Sequence, residues 1–406
     1  MIRRFRAAPE KSSVPIRFLV MIVVLPALTA CAGLSRNALT ETDQNVAQVE
    51  SFSGIRFWGD GPSDELGSSD REFRPPIHSG RTTYLALSGG GSGGAFGAGF
   101  LTGWTAAGSR PEFDVVSGVS TGALIAPFAF LGSSHDAALA ELYTSGIAET
   151  LVRPRPISAL FGAAVSDASA LRKLVEYYAT GDMLHEIAAE HSKGRRLFVA
   201  TTNLDAQRTV VWDLGAVAAS GNDQALTLFR NVLIASASIP AVFPPVMINV
   251  TVNDKRFQEM HADGGATTQL FTAPEFYLAS TDIAPPIRPE KADLYIILNN
   301  TLEPEFEPVK HSTFAIAGRA YSTLVKTHAR SAVNATYTLT QRIGVNFNLA
   351  YLDEVIPYAI NDPFNTQYMR RLFKIGRDKA LSAHGWRKSP PAVSKRKYPL
   401  SATIGN

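Results

Sequence analysis

Residues 89–99 read Gly-Gly-Gly-Ser-Gly-Gly-Ala-Phe-Gly-Ala-Gly, seven glycines in eleven positions. Glycine at that density is required only where bare backbone must approach something closely. Just upstream, Thr82–Leu87 is β-branched, aromatic and apolar, which predicts a buried strand. Just downstream, Ala95–Ala107 carries Phe96, Phe100, Leu101 and Trp104 at helical spacing. The stretch therefore reads as strand, glycine loop and helix. Its amides, gathered at a helix N-terminus, form a site for negative charge. Close packing of helix on strand accounts for a few such glycines, not for all seven.

Three kinds of anion fit such a loop. A P-loop needs Gly-Lys-Ser/Thr at its end, and no lysine occurs between Gly80 and Leu171. A dinucleotide fingerprint is formally present in Gly89, Gly91 and Gly94, with Asp114 20 residues past Gly94. That acid should close the second strand, whereas Asp114 precedes the apolar Val115-Val116. The third candidate is the oxyanion of an acyl-transfer reaction, which requires a nucleophile nearby.

The nucleophile follows one strand later. Phe113–Ser117 predicts a short strand, Gly118-Val119-Ser120-Thr121-Gly122 a turn, and Ala123–Leu131 an apolar helix. This is G-x-S-x-G in its strand–elbow–helix context, in which the turn lifts the serine hydroxyl out of the sheet. A serine needs a base. Among the eight histidines, His384, followed by Gly385, suits an ordinary α/β-hydrolase triad. A sharper candidate is Asp263 in Asp263-Gly264-Gly265, a turn from which a carboxylate reaches a serine directly. His261, two residues earlier, reads as a support for that loop rather than as a base.

Together these residues resemble the patatin-like phospholipases, lipid acyl hydrolases with a Ser–Asp dyad. Four blocks match in order: Ser88–Gly94, Gly118–Gly122, Ala235-Ser236-Ala237-Ser238-Ile239-Pro240-Ala241-Val242-Phe243-Pro244-Pro245, and Asp263-Gly264-Gly265. The blocks cover roughly residues 82–300. The resemblance implies Ser120 as nucleophile and Asp263 as base. It implies Gly89, Gly90 and Gly91, with the Thr121 amide, as oxyanion hole, and Gly118, Gly122, Gly264 and Gly265 as motif support. It implies an α/β fold, a three-layer α/β/α arrangement with a mostly parallel central sheet, and neither cofactor nor metal. At Gly93 the chain departs from the family, which has a basic residue there. Without that cation a neutral ester becomes as natural a substrate as a charged phospholipid.

The N-terminus sets an expected address. Arg3, Arg4, Arg6, Lys11 and Arg17 precede the apolar stretch Phe18–Ala30, which has signal-peptide dimensions. Leu28-Thr29-Ala30-Cys31 resembles a bacterial lipobox, and Cys31 is the only cysteine in the chain. Ala32 follows it, not the Asp that retains lipoproteins in the inner membrane. The expected location is therefore the periplasmic face of the outer membrane, through a lipid anchor on Cys31. Residues 1–30 carry five of the 39 basic and one of the 36 acidic residues, so the net charge of +3 falls to about −1 without them. This balance gives no support to nucleic-acid binding.

Residues 31–80 read as a tether rich in Ser, Gly, Asp and Pro, with Ile55–Asp60 as an apolar island that docks on the domain. The hydrolase domain is expected over residues 81–386, and residues 387–406 as a basic flexible tail. Within the domain, Arg195–Asn203 and Asp293–Asn299 predict buried strands, and Ser312–Thr340 and Met369–Leu381 long helices. Other classes left standing are an esterase with a histidine base, a dinucleotide-dependent oxidoreductase and a non-catalytic envelope lipoprotein. In a bacterial host, labelled palmitate is expected to enter the full-length chain and to be absent from Cys31→Ser; equal incorporation by both would refute the anchor.

Overall fold

A computed structural model describes residues 36–61, 81–151, 168–279, 292–306, 308–354, 356 and 364–391. The expected signal segment 1–30, Cys31 and residues 392–406 of the expected tail lie outside the described residues. The strands are β1 (Gln48–Val49), β2 (Arg56–Trp58), β3 (Thr82–Leu87), β4 (Val115–Val119), β5 (Arg196–Asn203), β6 (Arg208–Asp213), β7 (Val246–Val252), β8 (Lys255–Asp263), β9 (Ala292–Thr301) and β10 (Asn346–Leu352). The helices are α1 (Gly94–Ala106), α2 (Thr121–Leu131), α3 (Asp136–Thr144), α4 (Ala168–Tyr178), α5 (Gly181–Ser192), α6 (Leu214–Ala219), α7 (Ala225–Ser236), α8 (Glu275–Ala279), α9 (Thr313–Ile343) and α10 (Thr366–Leu381).

All ten strands join one sheet. Its parallel core runs β5, β4, β3, β9, β10. Every residue of β3 and β4 is buried, as expected of parallel strands covered on both faces. The expected parallel core is present, and antiparallel strands extend it on one side. There β6 lines one edge of β5 from Phe198 to Asn203. The opposite edge of β5 is shared by two strands. β4 holds it up to Val119, opposite Ala200, and β8 takes over with Asp263, opposite Thr201. β4 runs parallel to β5 and β8 antiparallel, so the C-terminal ends of β4 and β8 meet head-on.

The period of two along each strand divides the core. Leu85, Leu87, Val116, Leu197 and Val199 face one apolar cluster, shared with Phe96 and Phe100 of α1, Ile125 of α2 and Phe229 of α7. Tyr84, Ala86, Val115, Phe198 and Ala200 face a second, closed by Ala329 and Val333 of α9. These are the three layers of an α/β/α fold.

Two expectations need correction. The stretch read as a tether is not one throughout. β1 pairs with β7, β2 pairs with β6, and Val49, Phe52 and Ile55 are buried in the core. Their apolar side chains are too widely spaced to show a period, yet each finds a partner at the sheet margin. Nor is residue 387 where a tail begins, because the Arg387 and Leu349 backbones exchange hydrogen bonds of 2.8 and 2.9 Å.

Part of the glycine run belongs to packing rather than to the anion site. α1 lies against α10 so closely that a Cβ on Gly99 would sit 2.0 Å from the Phe373 carbonyl oxygen. Gly99→Val is expected to cost about 1–3 kcal/mol, read as a lowered thermal midpoint. Gly318→Ala, in open space on α9, should leave the midpoint unchanged or raise it slightly.

Candidate active site

Ser120 stands where β4 becomes α2, with φ 55° and ψ −124°. A non-glycine residue held in that region stores about 1–3 kcal/mol of strain. The turn is tight enough that a Cβ on Gly122 would sit 2.3 Å from the Leu87 carbonyl oxygen, and one on Gly118 2.4 Å from that of Gly122. Steric exclusion thus accounts for the flanking glycines of the motif.

The head-on meeting of β4 and β8 brings Asp263 to Ser120. The Ser120 hydroxyl donates to Asp263 Oδ2 at 2.6 Å, and the Gly265 amide donates to Oδ1 at 2.7 Å. Both side chains are buried, Ser120 at 5% exposure and Asp263 at 2%. Burial pushes the Asp263 carboxyl up to about 7, against the opposing pull of those two hydrogen bonds. No cation is among the groups acting on it. A base poised near neutrality suits abstraction of a hydroxyl proton.

The segment Ala235–Pro245 braces the pair. Ser236 Oγ accepts from the Ser120 amide at 3.0 Å and donates to the Ala200 carbonyl at 2.7 Å. The Ser238 carbonyl accepts from the Asp263 amide at 2.9 Å. One short block therefore holds the backbone of both Ser120 and Asp263.

The glycine loop lies beside Ser120 but not every amide faces the site. The Gly89 amide donates to the Gln269 carbonyl at 3.2 Å, which corrects the expectation that it serves the oxyanion. Gly89 instead lets the loop close on the serine, since a Cβ there would lie 3.3 Å from Ser120 Cβ. The amides of Gly90, Gly91 and Thr121 have no partner among the described residues. The loop is fastened to β9 by Asn299, whose side-chain amide donates to the Ser88 carbonyl at 2.7 Å and whose backbone amide donates to Ser88 Oγ at 2.8 Å. The same approach explains Gly93. A Cβ there would sit 2.0 Å from the Asn299 carbonyl oxygen, so the basic side chain expected from the resemblance has no room.

The remaining candidates are held elsewhere. His261 is fully buried, with Nδ1 2.9 Å from Thr201 Oγ1 and Nε2 3.0 Å from Glu259 Oε2. His384 is exposed beyond the C-terminus of α10. Gly99 meets Phe373 and Gly103 meets Arg377, so α10 runs alongside α1 in the same sense. His384 thus lies near the far end of α1, about 20 Å from the helix start that borders the site. Asp114 Oδ2 accepts from the Thr83 amide at 2.7 Å and the Thr83 hydroxyl at 3.0 Å. It closes the N-terminal ends of β3 and β4, opposite the edge where a dinucleotide would lie. Gln269, Asn299 and Tyr143, which shares a 2.6 Å hydrogen bond with Thr121, carried no signal in the sequence as parts of the site.

A serine on an elbow above a largely parallel, helix-covered sheet, with a buried partner and free amides beside it, has the arrangement of a serine hydrolase. Residues 85–273 match the patatin-like phospholipase family, and the chain carries a patatin-like phospholipase domain. Among solved structures it is similar to VipD from Legionella pneumophila, at 13% identity and TM-score 0.35, covering 74% of this chain and 66% of that one. It is also similar to the type III effector protein ExoU, at 13% identity and TM-score 0.27, covering 76% of this chain and 53% of that one. The chain thus spans about two thirds of the first and half of the second. No curated protein matches it.

The Asp263 value carries a sign for both activity and stability. A carboxylate acting there as the base would make kcat/KM rise with pH through about 7 and level off above. Its folded value lies above the ordinary one, so its stabilising contribution is full in acid and is lost as pH rises through about 7. Asp263→Asn should accordingly raise the thermal midpoint at pH 8 relative to the unmodified chain, with the difference shrinking by pH 5.

Proposed function

We propose that the protein is a membrane-associated serine lipid acyl hydrolase, a phospholipase A or esterase, working through a Ser120–Asp263 dyad. The 2.6 Å hydrogen bond from the Ser120 hydroxyl to the Asp263 carboxylate carries this reading. Asp263 takes the proton as Ser120 attacks the ester carbonyl, and the amides of Gly90, Gly91 and Thr121 receive the developing oxyanion. The proton passes from Asp263 to the departing alcohol, leaving Ser120 acylated. Water, deprotonated by Asp263, then attacks the acyl carbonyl, and the proton returns from Asp263 to the Ser120 oxygen as the fatty acid leaves.

The small residue forced at Gly93 favours substrates with an uncharged headgroup, because no cation stands there to meet a phosphate. The lipobox-like segment ending at Cys31 supports anchorage in the bacterial envelope, on the periplasmic face of the outer membrane. Among the described residues no helix is long and apolar enough to cross a membrane.

Ser120→Ala and Asp263→Asn should each lower hydrolysis of a soluble ester by about 10³-fold or more while the far-ultraviolet circular dichroism stays unchanged. His384→Ala should keep its rate within about twofold. An active Asp263→Asn beside a dead His384→Ala would replace the dyad with a triad.

A further inference from the structure

The first half of α9 overhangs the molecule with one side half-buried and the other exposed. From Thr313 to His328 no described side chain is buried, whereas Ala329, Val333, Thr336, Leu339 and Thr340 are. At 1.5 Å per residue, this overhang is about 24 Å long. It lies at the mouth of the site. Lys326 Nζ donates to Thr301 Oγ1 at 3.0 Å and pairs with Glu305 at 2.7 Å, two residues beyond the Asn299 that fastens the glycine loop. Tyr321, on the same half-helix, has its phenol pushed up first by burial and then by the charge of Asp263.

The outward side of the overhang has its own chemistry. At 3.6 residues per turn, Ile316, Ala320, Thr323, Leu324 and Thr327 share an arc of about 100°, and all are exposed. Leu324 is 69% and Ile316 50% exposed, and in the approach to the helix Phe306 is 94% and Val309 45% exposed. Single exposed apolar residues are ordinary, but a group of them on one overhang marks a contact surface. Residues 308–328 contain Lys310, Arg319 and Lys326 and no Asp or Glu. The acids Glu303, Glu305 and Glu307 precede this stretch, and Glu305 is held by Lys326. An apolar ridge bordered by bases complements a surface that is apolar within and anionic at its rim, as a bilayer is.

We propose that the N-terminal half of α9 and residues 308–312 before it dock the protein on an anionic lipid surface, holding the mouth of the Ser120–Asp263 site against it. This rests on the lipid acyl hydrolase reading above and assigns the helix a contact separate from any anchor at Cys31.

The test uses the full-length chain with Cys31→Ser, so that no acyl anchor contributes, and adds Ser120→Ala where binding is measured, so that no lipid is consumed. Flotation with phosphatidylcholine vesicles containing phosphatidylglycerol should recover this protein, with recovery falling as salt rises and on pure phosphatidylcholine. Adding Ile316→Ser with Leu324→Ser, or Lys310→Glu alone, should lower recovery about tenfold. In the chain that keeps Ser120, the same changes should lower hydrolysis of a diacylglycerol carried in those vesicles in parallel and leave a soluble short-chain ester within about twofold. Unchanged recovery in both variants would overturn the docking surface. So would a dimer of the starting chain that the variants convert to monomer, because the face would then belong to a second copy. Failure to cleave the soluble ester even with Ser120 intact would sink the hydrolase reading instead, while the flotation result still decides the docking.

Discussion

The shared edge of β5 is the constraint on which the site depends. One strand edge hydrogen-bonds first to β4 and then, one residue further, to β8 running the other way. Backbone register alone therefore places the residue after Val119 beside Asp263. No long side chain is needed to bridge them, which is why a carboxylate as short as aspartate reaches the serine directly. A slip of one residue in the β5–β8 ladder would turn the Asp263 side chain to the opposite face of the sheet, and one in the β4–β5 ladder would carry Ser120 away from it. The serines of the Ala235–Pro245 segment secure that register, one bonded to the Ser120 amide and the other to the Asp263 amide.

The site is held in a state that the rest of the molecule must sustain. Ser120 is kept at positive φ, and Asp263 is buried with two hydrogen bonds and no cation. Each feature lowers stability by an amount on the order of one to a few kcal/mol. The two apolar clusters on either face of the sheet offset this, with β4 and β5, the strands along which Ser120 and Asp263 are aligned, buried almost throughout. A buried carboxyl and a strained serine persist here because the β4–β5 and β5–β8 ladders fix their positions independently of the interaction between them.

The sequence made legible what is local. The glycine loop, the elbow around Ser120 and the Asp-Gly-Gly turn each announce themselves within a few residues, because steric demands at those turns admit almost nothing else. What depends on distant pairing was hidden. Asn299 meets the glycine loop only because β9 lies beside β3, and Gln269 takes the Gly89 amide only because the chain folds back after Asp263. The same distance concealed the two strands within residues 36–61, whose partners lie some two hundred positions away. Gly93 looked like a missing cation and is instead a place where β9 leaves no room for a side chain. The overhang of α9 was likewise invisible, since its periodicity reads as an ordinary helix and only the fold shows which half is covered.

The central claim is that Ser120 is the nucleophile and that Asp263 activates it without a histidine. A fluorophosphonate probe followed by peptide mass mapping tests this most directly, because the adduct reports the reactive atom irrespective of substrate. The account predicts a single adduct on Ser120, formed at a rate that rises through pH about 7 and is lost in Asp263→Asn but kept in His384→Ala. An adduct on another residue, or an Asp263→Asn chain that labels at the unmodified rate, would contradict it.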